Sequence, residues 1–261
     1  MEKLKIKDVV PENIDHLINL CIPIERKNDP SFVEGARVKK KWATKALKEQ
    51  GTIAKLAYLN SKPVGLIQYQ FNPEEKVVEI SCIFVPEKEN LGKGIGKSLF
   101  KAVIEDVRKP QALFNGEVPD ALVTWAFRVP ERYPQHEFYQ KMGFKRVNAN
   151  DPFLLYYPLK EGYVYKPKEK RYCPQEEDKG KALIFYDPSC PFAMRFAEVI
   201  KNSIREVAPN IPIRMVNKFD EAEEFRKRGK VGFCAVNGKN IEAFFMDKEN
   251  FQKEVRQALV S

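Results

Sequence analysis

A strand that runs into a glycine-rich turn and then a helix is the feature that most limits what this chain can become. Val77-Val78-Glu79-Ile80-Ser81-Cys82-Ile83-Phe84-Val85 has the apolar, β-branched character of a buried strand, and Leu91-Gly92-Lys93-Gly94-Ile95-Gly96-Lys97 follows it. Beyond the turn, Ile95, Leu99, Val103 and Val107 recur at helical spacing. Glycines in such a turn let successive backbone N–H groups converge on one concavity, and the helix adds the positive end of its dipole. The pattern predicts a main-chain cradle for a phosphate or pyrophosphate, with Leu91, Gly92, Lys93, Gly94, Ile95, Gly96 and Lys97 as its contacts.

The surrounding segments predict a mixed α/β fold. Strands are expected at Lys3–Val9, Thr52–Leu59, Pro63–Phe71, Lys76–Val85, Ala121–Phe127, Phe144–Val147 and Phe153–Tyr157. Helices are expected at Pro11–Leu20, Glu34–Gln50, Gly94–Val107 and in a short segment that stops at Met142-Gly143. Turn residues between the early strands make them an antiparallel meander. Lys160–Lys181 is charged and poor in core-forming residues, which reads as a linker, although Tyr163 and Tyr165 stand at its start as an extension of the last strand. From Ala182 a second pattern runs strand, helix, strand, helix, hairpin and helix, with the hairpin turning at Asn237-Gly238. The expected organisation is therefore a unit over 1–158, a linker over 159–181 and a smaller β-α-β-α-β-β-α unit over 182–261.

Composition removes several classes of function. With 43% hydrophobic and 31% charged residues the 261-residue chain is expected to be globular and water-soluble. It has no apolar run long enough to span a bilayer, and Met1–Lys7 alternates charged and apolar residues instead of forming a signal peptide. A cytoplasmic protein without membrane partners is the expectation. Five scattered cysteines and two histidines form no zinc spacing, so no metal is expected. The net charge of +9 suits anionic ligands, but basic and acidic residues are mixed and no nucleic-acid motif appears, so no nucleic-acid partner is expected.

A second motif, Phe138-Tyr139-Gln140-Lys141-Met142-Gly143-Phe144, stands downstream of the glycine turn with the apolar strand between them. In that order the two elements resemble the GNAT family of N-acetyltransferases over roughly Leu4–Tyr157. Leu91 stands where that family usually has Gln or Arg, and Arg132 where many members have Asn. The resemblance implies a GNAT fold with a central mixed, mostly antiparallel sheet. It implies acetyl-CoA as co-substrate, held by the turn and by backbone amides at Ile83, Phe84 and Val85. It implies transfer of acetyl to a primary amine by direct attack in a ternary complex, with Glu79 as general base and Tyr139 as general acid to the leaving thiolate. Cys82 reads as a strand thiol, and His136 as a surface residue or a neighbour of the same cleft.

Ile184-Phe185-Tyr186-Asp187-Pro188-Ser189-Cys190-Pro191-Phe192-Ala193 is similar to a thioredoxin-fold strand, turn and helix. Together with the first unit it resembles a YoaP-type arrangement. Ala193 replaces the second cysteine of a C-x-x-C pair, and Gly232 replaces the proline that usually precedes the third strand. The resemblance leaves Cys190 as a candidate reactive thiol at a helix N-terminus. The alternative for the whole chain is a CoA-binding or thiol-sensing regulator whose tail binds a partner.

Overall fold

The structure, a computed structural model, describes residues 3–126, 133–168 and 171–260. The chain divides into two compact units, one of residues 1–21 with 43–168 and the other of residues 22–42 with 169–261.

In the first unit, among the described residues, seven strands form one sheet in the order β1-β2-β3-β4-β5-β7-β6. They are β1 (Leu4–Asp8), β2 (Ala54–Leu59), β3 (Lys62–Asn72), β4 (Val77–Phe84), β5 (Ala121–Trp125), β6 (Lys145–Arg146) and β7 (Leu154–Pro158). All neighbours are antiparallel except β4 and β5, which are parallel. Helix α1 (Ile14–Asn19) follows a single 3-10 turn at Pro11–Asn13. Helix α3 (Ile95–Val107) buries Ile95, Leu99, Phe100, Val103 and Val107, the residues at helical spacing. They pack with Ile67, Tyr69, Val78, Ile80, Leu122 and Leu155 into the main core. Each such side chain contributes roughly 1.5–3 kcal/mol of burial before ordering costs. The short α4 (Gln135–Lys141) adds Tyr139 to the same core and stops at Gly143, whose φ is +96°.

Helix α2 (Pro30–Gln50) starts four residues before the expected Glu34. The Asp29 carboxylate accepts from the Ser31 N–H at 3.0 Å, and Pro30 takes the first helical position, a start signal present in the sequence. Residues of α2 up to Trp42 count with the second unit and the rest with the first.

The second unit has a four-stranded sheet in the order β11-β10-β8-β9. Its strands are β8 (Ala182–Tyr186), β9 (Ile213–Asn217), β10 (Cys234–Val236) and β11 (Lys239–Ile241), with helices α5 (Ala193–Val207), α6 (Ala222–Lys227) and α7 (Lys248–Leu259). β8 and β9 are parallel, and β10 is antiparallel to both β8 and β11. The hairpin turns at Asn237-Gly238, whose φ values are +49° and +74°. A two-residue turn of this kind restarts the strand at once. The return strand is therefore Lys239–Ile241, and Phe245 is buried from a loop.

The segment expected to be a linker is anchored in both units. Tyr165 is buried against Val77, Val123 and Tyr156 in the first. In the second, Tyr172 bridges to Gly229 and Asp178 is 1% exposed. Asp178 takes two hydrogen bonds from the fully buried Arg228, at 2.8 and 2.5 Å. Charge in this stretch marks buried ion pairs as well as solvated surface.

Candidate active site

The site begins where β4 and β5 part. They pair over Val77–Glu79 with Ala121–Val123 and no further. The Thr124 hydroxyl donates to the Ile80 carbonyl at 2.9 Å, closing the last paired step. On its other edge β4 slips against β3, where Gln68 pairs with Cys82 but Tyr69 with Ile80, leaving Ser81 as the extra residue of a bulge. A bulge increases local twist and turns the strand away from its neighbour. Past it, the Gln135 side-chain amide donates to the Ile83 carbonyl at 3.4 Å. A strand residue points its N–H and C=O to the same side, so the Ile83 N–H also faces the gap. Phe84 pairs with Leu66 of β3.

A cavity of about 560 Å³ opens at this gap. Ile83, Phe84, Val85, Leu91, Gly92, Gly94, Ile95, Gly96 and Lys97 line it. Of the ten residues expected to bind co-substrate, Lys93 alone is outside the lining, and its ammonium donates to Asn90 Oδ1 at 3.2 Å. Gly92 and Gly94 have φ of +76° and +77°, with open space where a Cβ would stand. Gly94 is the N-cap of α3, whose first turn has neither a side-chain cap nor an acidic residue. The first N–H groups of α3 are therefore directed at the cavity without competition from an anionic side chain. Gly96 serves differently: a Cβ there would stand 3.2 Å from the Phe138 ring.

The cavity wall also includes Asn90, Tyr133, Gln135, Phe138, Lys141 and Met142. Sequence reasoning placed the helix that carries most of them but not its cavity-facing side, because a seven-residue helix has too few turns to define a face. Asn90 had no local signal at all.

Glu79 is half-buried on β4, opposite Gln70. One carboxylate oxygen accepts from the Asn72 amide at 2.6 Å and the other from the Gln70 amide at 3.2 Å. Tyr139 is fully buried behind Phe138, outside the cavity lining, and its hydroxyl has no hydrogen-bond partner. Burial, reinforced by the neighbouring Cys82 thiol and only partly offset by the nearby Thr124 hydroxyl, pushes its phenol far above the usual value. His136 meets the Phe153 ring edge-on at 5.4 Å, with Nδ1 buried and unpaired. Cys82 is half-buried at the bulge. Arg132 and Phe127 lie outside the described residues. In the second unit Cys190 is exposed in the turn before α5, whose first residue is Ala193, so it precedes the helix by three residues and does not begin it. Among the described residues no group of three or more His, Cys, Asp or Glu side chains is arranged to hold a metal ion. No helix among them is long and apolar enough to cross a membrane.

Residues 18–144 match the acetyltransferase (GNAT) family. With the curated relative that follows, this match supports an acyltransferase. N-acetylaspartate synthetase of Xenopus tropicalis is 29% identical over 132 residues, covering 49% of this chain and 45% of that protein. The chain thus spans less than half the length of that relative. Among solved structures, a PaiA N-acetyltransferase of Thermoplasma acidophilum in complex with coenzyme A is 15% identical, covering 60% of this chain and 99% of that one with a TM-score of 0.43. A GNAT-family acetyltransferase of Staphylococcus aureus is 18% identical, covering 60% and 100% of the two chains with a TM-score of 0.45.

Proposed function

We propose that this protein is an N-acetyltransferase that moves acetyl from acetyl-CoA to a primary amine. The observation that carries the reading is the β4–β5 gap opening onto an uncapped helix N-terminus through Gly92 and Gly94. That cradle suits a pyrophosphate, and the gap suits an extended arm with amide groups, which pairs with exposed backbone as an added strand would. Acetyl-CoA supplies an acetyl group already activated as a thioester. Ile83, Phe84 and Val85 hold the arm, and Leu91, Gly92, Lys93, Gly94, Ile95, Gly96 and Lys97 hold the phosphates. The Ile83 N–H is placed to polarise a carbonyl oxygen in the gap.

Glu79 is the general base in this reading and takes the proton from the acceptor ammonium directly or through water. Its support is the fixed carboxylate between Gln70 and Asn72. Tyr139 is the general acid toward the departing sulfur. This role requires Phe138 to move aside, because the Tyr139 hydroxyl is buried behind it and outside the cavity lining.

The reading extends to the second unit, which we take as thioredoxin-like. Its strand order, the parallel β8–β9 pair and the antiparallel β10 support this. With Ala193 in place of a second cysteine, it acts as a binding module and not as a dithiol catalyst, and Cys190 is its reactive thiol. The protein works in the cytoplasm.

The test is calorimetry with acetyl-CoA followed by release of free CoA across a panel of primary amines that includes L-aspartate. Binding together with amine-dependent CoA release is expected. Acetyl-CoA that binds without turnover of any amine rejects the enzyme reading and favours a CoA-binding regulator, and acetyl-CoA that fails to bind rejects both and leaves the thiol-sensing alternative.

A further inference from the structure

The segment that follows β7 closes a hydrogen-bonded path onto Glu79. Tyr165 is 6% exposed, and its ring stands 6.3 Å from that of Tyr156 on the sheet face that carries Val77 and Val123. Glu79 is two residues from Val77 on the same strand, so it shares that face. The Tyr165 hydroxyl donates to one oxygen of Glu75, and the other oxygen accepts from the Lys168 N–H at 3.4 Å. Both ends of the Glu75 carboxylate are thereby tied to the segment after β7.

From Glu75 the path turns back through the β3–β4 connection. The Glu75 N–H donates to Asn72 Oδ1 at 3.2 Å. A backbone N–H can only donate, which fixes the sense of the Asn72 amide and commits its Nδ2 to Glu79. That second bond, to Glu79 Oε1, is 2.6 Å long. Lys168 adds a further tie through its ammonium, which donates to the Glu74 carbonyl at 2.9 Å. Tyr165, Glu75, Asn72 and Glu79 are therefore linked in series, with Glu75 joining its carboxylate contact to Tyr165 and its backbone N–H contact to Asn72.

We propose that Tyr165 is a positioning residue for Glu79, acting through Glu75 and Asn72. The proposal rests on Glu79 being the base of the proposed transfer. A base must meet its proton within hydrogen-bond reach, and a small misplacement costs rate with little effect on the binding of either substrate.

The test uses the full chain with Tyr165→Phe, which keeps the ring and removes the hydroxyl, and with Asn72→Ala. Two readouts are taken. In ¹⁵N NMR without ligand, the Asn72 side-chain amide protons exchange slowly in the parent and about tenfold faster in Tyr165→Phe, as loss of one anchoring hydrogen bond allows. In steady-state assays with L-aspartate and with n-butylamine, kcat falls about tenfold in both variants while KM and the acetyl-CoA Kd stay within about twofold. A ring that only fills space predicts no change in either readout for Tyr165→Phe. Unchanged Asn72 exchange in Tyr165→Phe overturns the proposal even where Asn72→Ala is slow. A parent that acetylates neither amine counts against the base role of Glu79, and the NMR result then decides the positioning role alone.

Discussion

Gly94→Ala isolates what the turn contributes, because nothing stands within 4 Å of the added methyl. The whole effect must come from the backbone, whose φ is +77° at this residue. Holding an L-residue with a Cβ in the left-handed region costs about 1–2 kcal/mol. Two outcomes share that cost. If the turn keeps its shape in the free protein, stability falls by the full amount, and the melting temperature drops by roughly 3–8 °C for a domain of this size. If the turn relaxes instead, the left-handed shape must be restored on binding, and acetyl-CoA affinity weakens by about 5–30-fold. The two losses together should come to about 1–2 kcal/mol, measured by calorimetric melting and by titration with acetyl-CoA. Gly92→Ala should behave alike, since its φ is +76° and its surroundings are equally open. Gly96→Ala is the contrast: it has no left-handed backbone, and its methyl presses on Phe138 at 3.2 Å, against a helix-propensity gain of about 0.5–1 kcal/mol. Its melting temperature should stay near that of the parent. Unchanged stability together with unchanged affinity in Gly94→Ala would refute the cradle argument.

The remaining expectations are independent of one another. Tyr139→Phe removes an unpaired buried hydroxyl, so it should stabilise the first unit or leave it unchanged in thermal melts while lowering kcat without loss of acetyl-CoA affinity; an unchanged rate would free Tyr139 of any chemical role. Arg228→Met leaves Asp178 buried and unpaired, so denaturant titration should show a loss of about 3 kcal/mol or more, largely recovered in the double variant with Asp178→Leu. Glu224 is held down to about 2 from its ordinary 4.5, chiefly by its hydrogen bond with Lys227 and also by Arg228. A lowered folded-state value means that its contribution is complete above about pH 4.5 and is lost as pH falls toward about 2, so melts across that window should decline less steeply in Glu224→Gln. Lys55 is buried between Asp8 and Asp106, and although burial alone would lower its ammonium, those two partners hold it above the ordinary value. Lys55→Met should cost about 2 kcal/mol, below the fully buried case because both carboxylates stay partly in water.

What the sequence made legible was whatever local patterning governs. The spacing of Ile95, Leu99, Val103 and Val107 gave the buried face of α3, and the glycine turn before it gave six of the described residues that line the cavity. Asn237-Gly238 placed the hairpin turn, whereas the length of the return strand is set by its pairing with β10. The start of α2 is set by the Asp29 cap and by Pro30 at the first helical position, ahead of the run of helix formers from Glu34.

What was not legible depends on contacts distant in the chain. The bulge at Ser81 arises from register against β3, and the gap that follows it arises from β5 parting at Thr124. Neither register nor parting leaves a mark within a single strand. The segment after β7 shows the same limit in its sharpest form. A stretch dense in Lys, Glu and Pro reads as solvated because charge normally seeks water, but that rule speaks only of average cost. An ion becomes buried wherever one partner of opposite charge meets it with good geometry, as Arg228 does for Asp178 across 50 residues. A tyrosine in such a stretch is the part composition discounts, being too few to build a core. Tyr165 needs no core of its own, since the sheet face at Val77, Val123 and Tyr156 already provides one. Its hydroxyl then reaches Glu75, at the root of the path to Glu79. The residues that hold a carboxylate need not lie on its own strand: the path that ends at Glu79 starts at Tyr165, some 86 positions downstream.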